Sequence, residues 1–72
     1  MRILLADLDL AMTFLEIART TTDASVRQRN RENARKAYET VLRFQLRLVP
    51  TAEEKKSMEE KLGNVRDGLE RP

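Results

Sequence analysis

The chain has 72 residues, no cysteine and no histidine, and its 14 basic and 12 acidic side chains leave a net charge of +2. That excludes a disulfide framework, a thiolate-metal site and catalysis by an imidazole base. The longest apolar run, Ile3–Ala6, is far too short for a membrane span or a signal-peptide core, so one cytoplasmic domain over residues 1–72 is expected.

Ala, Leu, Glu, Arg and Lys dominate, and Gly and Pro number only two each, a composition that favours helix over turn-rich β structure. Two stretches interrupt the helical pattern. Thr20–Asp23 ends with a good N-cap ahead of Ala24. Val49–Thr51 contains Pro50, which disfavours helical geometry at Val49, and Thr51 with Glu54 fits the capping-box spacing. Three helices are therefore predicted at about 3–20, 24–48 and 52–69. The connections are short, so the fold class is all-α, a three-helix up-down-up antiparallel bundle.

At 100° per residue each helix acquires a face. Helix 1 has one apolar row of Leu4, Leu8, Ala11, Leu15 and Ala18 and a second of Ile3, Leu10, Phe14 and Ile17. Leu5 and Met12 lie on the opposite flank, so roughly two-thirds of the circumference is apolar. Helix 2 places Val26, Ala34, Ala37, Tyr38, Val41 and Leu42 on one broad side, continued by Phe44, Leu48 and Val49. Helix 3 has one thin seam, Met58, Leu62, Val65 and Leu69. It is too narrow to cover what helix 1 leaves after packing on helix 2. Helix 1 is thus expected to be the most buried helix, with surplus apolar surface at Ile3, Leu10, Phe14 and Ile17 as the candidate self-association row.

The stretch Val26–Leu48 holds seven of the basic residues, and Arg29, Lys36, Arg43 and Arg47 share an outward stripe. Glu32–Lys36 and Glu39–Arg43 are spaced as i,i+4 ion pairs, each worth about 0.2–0.5 kcal/mol, so the ordinary reading is a half-neutralised solvated face. The stripe is also the candidate contact for an anionic partner. Nucleic acid is disfavoured, because neither a helix-turn-helix glycine turn nor a row of stacking aromatics is present.

Several single residues carry two readings. Asp7 falls in the apolar arc of helix 1; it is either an acid poised against Arg47 or Lys55, or a first-turn residue that caps the helix or reaches water. If it is the cap, residues 1–6 form a separate arm. Asn30, on the core seam of helix 2, either fixes register or oligomer state or marks a loosely packed end with Thr20–Thr22 and Gly68. Gly63 marks a kink, a close approach or nothing, and Leu46 points away from the other apolar side chains. Glu53, Glu54, Glu59 and Glu60 lie off the seam of helix 3 without a histidine, so they read as solvated and no metal or cofactor is expected. Ser25 and Ser57 lack a histidine base, and no phosphate-binding glycine loop is present; no catalytic residue and no small-molecule substrate is expected.

The segment "NARKAYETVLRFQLRLVP" resembles helix B of a tetratricopeptide repeat through Ala34, Ala37, Tyr38, Leu42 and the closing Pro50. The whole chain also looks like a MIT (microtubule-interacting and transport) domain, a three-helix bundle with an Ala-Tyr-rich second helix. That resemblance implies a peptide groove lined by Tyr38, Leu42, Val65 and Leu69. The opening "DLDLA" with "NARKAYETVLRF" is similar to small uncharacterised helical proteins of bacteria, which implies no function. The leading expectation is a non-catalytic interaction module that forms a homo-oligomer, a dimer, or takes a partner protein's helix. The alternatives are a nucleic-acid accessory protein and a peptide-groove adaptor.

Overall fold

The two interruptions divide the chain where expected. In the computed structural model, which describes residues 2–71, α1 spans Arg2–Thr20, α2 Ala24–Gln45 and α3 Ala52–Glu70. Asp7 sits inside α1, so residues 2–6 are its first turns and not a separate arm. The Asp23 carboxylate accepts from the amides of Ser25 and Val26 at 2.8 and 3.1 Å, satisfying two of the four amides that a helix start leaves unpaired. Thr51 opens α3 with a reciprocal pair. The Glu54 amide donates to Thr51 Oγ1 at 3.1 Å, and the Thr51 amide donates to Glu54 Oε1 at 2.9 Å. Donation from the Thr51 backbone, joined by its hydroxyl, holds the Glu54 carboxyl below the ordinary carboxylate range.

α2 stops at Gln45 rather than at Leu48. The amides of Arg47 and Leu48 donate to the carbonyls of Phe44 and Gln45, three residues back, at 3.0 and 3.3 Å. With Pro50 ahead, the chain winds into this tighter turn and leaves the helix instead of extending it.

The three helices form an antiparallel bundle measuring 40 × 18 × 16 Å. α1 lies against both of the others and α2 meets α3 least, so α1 is the central element, as its two apolar rows suggest. Its inner row of Leu4, Leu8, Ala11, Leu15 and Ala18 is buried along its full length. Ala34 and Val41 of α2 and the whole α3 seam, Met58, Leu62, Val65 and Leu69, complete the core. Leu5, Met12, Phe14, Ala37, Tyr38 and Leu42 pack around it half-buried.

The apolar side of α2 is buried for only part of its length. Phe44, Leu48 and Val49 were expected to be covered but are exposed, Val49 completely. Antiparallel pairing about the Thr21–Asp23 turn brings the start of α1 to about the level of Val41, so later residues of α2 extend past the end of α1. Leu46 is also exposed, as its isolated position on the wheel implies.

The other end of the bundle is tied across the core. Arg31 is half-buried, and its Nη2 and Nη1 donate to the carbonyls of Leu69 and Gly68 at 2.5 and 3.5 Å. It thereby caps the C-terminus of α3, whose own last turn has no basic residue. Asn30 Nδ2 donates to the Val26 carbonyl of its own helix at 2.8 Å.

Candidate functional site

Three contacts show which face of the α1–α2 hairpin α3 covers. Lys61 pairs with Asp9, Gly68 approaches Leu15, and Arg31 reaches the end of α3. On α1, Asp9 flanks the buried row on one side, and the second apolar row flanks it on the other, roughly 110° away at 100° per residue. That row therefore lies on the face turned away from α3. Ile3, Leu10 and Ile17 recur every seven residues and are 77%, 49% and 40% exposed. Phe14, the fourth member, is half-buried against the core. This is the surplus that the thin α3 seam cannot cover.

The basic stripe shares that face. On α2, Arg31 points towards α3, and Arg29, Lys36 and Arg43 fall on the opposite flank; Arg47 lies in the turn beyond Gln45, and all four of these stripe residues are exposed. Neither Glu32–Lys36 nor Glu39–Arg43 closes to contact distance. Among the described residues the ion pairs are Lys61–Asp9 and Arg66–Asp67. Glu32 instead accepts from Gln28 at 3.2 Å, and Arg47 lies 5.9 Å from the centre of the Phe44 ring. The expected internal neutralisation is absent for a physical reason: exposed pairs gain too little to hold two long side chains in one geometry. The stripe presents its charge to solvent beside the apolar row.

The groove implied by the MIT-like resemblance would be lined by Tyr38, Leu42, Val65 and Leu69. Val65 is fully buried and Leu69 nearly so, and both serve the core, with Tyr38 and Leu42 half-buried above them. Asp7 is half-buried on the α2 side of α1 and joins neither ion pair, so the pairing with Arg47 or Lys55 does not form. Glu53, Glu59 and Glu60 are exposed, and no cluster of possible metal ligands occurs among the described residues. Nor is any helix among them long and apolar enough to cross a membrane.

One feature is not visible along the sequence. A groove of about 440 Å³ opens where the ends of α1 and α3 meet the start of α2. Arg19 of α1, Arg27 and Arg31 of α2, and Arg71, which caps the end of α3, line it. Its apolar lining includes Met12, Leu15 and Ala18, and Glu16 and Asp67 are its acids. Arg27 Nη2 donates to the Thr21 carbonyl at 3.1 Å, as Arg31 does to α3. Both guanidinium groups are thus positioned by neutral carbonyls and keep their charge. The only forewarning in the sequence is the four-residue spacing of Arg27 and Arg31, which places both on one helix face. No family model, curated protein or solved structure matches the chain, so its function has to be read from these surfaces.

Proposed function

We propose that the chain is a non-catalytic interaction module that associates with a second copy of itself through the outer row of α1. One observation carries this reading. Ile3, Leu10 and Ile17 form a regular exposed apolar row on a helix whose other row is fully occupied by the core. Scattered exposed apolar side chains are ordinary, but a row that recurs every seven residues on one helix loses free energy in water that a matching surface would recover. The test is solution mass by light scattering over a dilution series, for the natural chain and for Leu10→Glu. Leu10 is a cleaner site than Phe14, which also packs on the core. The natural chain should exceed its 8.4 kDa monomer mass, and Leu10→Glu should return it towards that mass with helicity retained. A mass of 8.4 kDa at every concentration refutes self-association.

The unpaired basic stripe favours a second reading, in which the same face takes an anionic partner such as nucleic acid. The two separate by salt. Each phosphate contact gives affinity a steep inverse dependence on salt concentration, whereas apolar association persists as salt rises.

A further inference from the structure

We propose that the arginine-lined groove at the Thr21–Asp23 end is a binding site for a small phosphate monoester carrying an apolar body. Four of the chain's ten arginines converge there, from α1, from α2 and from the cap residue just past α3, and no lysine joins them. Guanidinium forks donate paired hydrogen bonds to phosphate oxygens, which a lysine ammonium does not. The opposed acids, Glu16 and Asp67, leave the lining at +2, from four arginines less two carboxylates. A phosphate monoester above its second ionisation, near pH 6, carries close to −2, so its charge matches the groove.

The remaining features set the rest of the ligand. Arg27 and Arg31 are held by the Thr21, Gly68 and Leu69 carbonyls, so two donors stand in place before anything binds. Arg19 and Arg71 are exposed and able to close over an anion from the α1 and α3 sides. The groove's volume is in the range of small-ligand sites and far below what a macromolecule occupies. Met12, Leu15 and Ala18 give it an apolar part that a bare inorganic ion cannot use. It lies on the side that α3 covers, away from the exposed row of α1, so this inference stands independently of self-association.

The experiment is a backbone-amide NMR titration with phenyl phosphate and with inorganic phosphate, at constant ionic strength held with potassium chloride. Saturable shifts should cluster around residues 15–19, 27–31 and 64–71. Phenyl phosphate should bind about tenfold more tightly or better, since only its ring buries apolar surface. Arg19→Gln with Arg71→Gln changes two exposed side chains and leaves Arg31 in place, so the fold is kept. This pair should weaken binding about tenfold or more, while Arg43→Gln with Arg47→Gln on the distant stripe should not alter it. Non-saturating shifts spread over every basic segment, or equal losses in the two double variants, overturn the site. Equal affinity for the two anions overturns the apolar part of the assignment. Leu10→Glu should leave the titration unchanged, so this proposal and self-association fail separately.

Discussion

Gly63 and Gly68 occupy the same helix, and alanine at each should have a different outcome. Glycine inside a helix is less stable than alanine by about 0.5–1 kcal/mol, because the unfolded chain has more freedom to lose. A Cβ built on Gly63 meets nothing within 4 Å, so Gly63→Ala should keep that whole gain. For a domain of this size the gain raises Tm by about 2–8 °C. A Cβ on Gly68 falls 2.7 Å from Leu15 Cδ1, although Leu15 Cγ and Cβ are at 3.6 and 3.9 Å. Only a terminal methyl stands in the way, so Leu15 must turn in a buried site at a cost of about 0.5–1.5 kcal/mol. That offsets the helical gain, which is smaller in a last turn, and Gly68→Ala should end at or below the natural stability. Urea unfolding of both variants beside the natural chain, followed by circular dichroism, measures the difference. If Gly68→Ala gains as much as Gly63→Ala, the close approach of α1 and α3 at Leu15 is refuted.

Three further outcomes follow from the fold. Arg31→Met should lower stability by about 1–2 kcal/mol, and hydrogen exchange should locate the loss in the last turn of α3, whose carbonyls Arg31 caps; a loss spread evenly over all helices contradicts that role. Leu8→Ala, at a fully buried position, should cost about 2–5 kcal/mol, while Leu10→Ala, two residues on, should change monomer stability by no more than about 0.5 kcal/mol; chemical denaturation of the two distinguishes the inner row from the outer. The Glu54 carboxyl is held low by the Thr51 hydrogen bonds, so its contribution is present above the unfolded pKa and is lost as pH falls through the folded one. Acid titration should therefore weaken α3 from its N-terminus as pH drops into the carboxylate range, and Glu54→Gln should flatten that dependence.

What could be read from the sequence differs from residue to residue, and the reason is range. The inner row of α1 and the seam of α3 obey a spacing set within one helix, and each lies in the core as the spacing predicts. The caps at Asp23 and Thr51 are local in the same way. The exposure of Phe44 and Leu48 was not legible, because a wheel gives the side on which a residue lies but not how far its neighbour extends. Arg31 meets carbonyls 37 and 38 residues away, a contact that no local pattern encodes. The glycines show the same limit: Gly63 looked like the marked position, yet the close approach is at Gly68.

The exposed row and the arginine groove follow from one arrangement, the packing of α3 on a single face of the α1–α2 hairpin. A seam of one residue per turn can seal one side of a two-helix hairpin and no more. On the sealed side, the Lys61–Asp9 pair, the Leu15–Gly68 approach and the Arg31 cap draw α3 in, and arginines from three helix ends gather where the helices part. On the open side nothing covers the second row of α1. A broader α3 seam would not cure that exposure, since α3 lies on the wrong face of α1; only a fourth helix on the outer face would, and a second copy of the same hairpin can supply one. A cut chain comprising α1 and α2 alone should therefore expose apolar surface on both faces and aggregate, whereas the full chain leaves such surface on one face only.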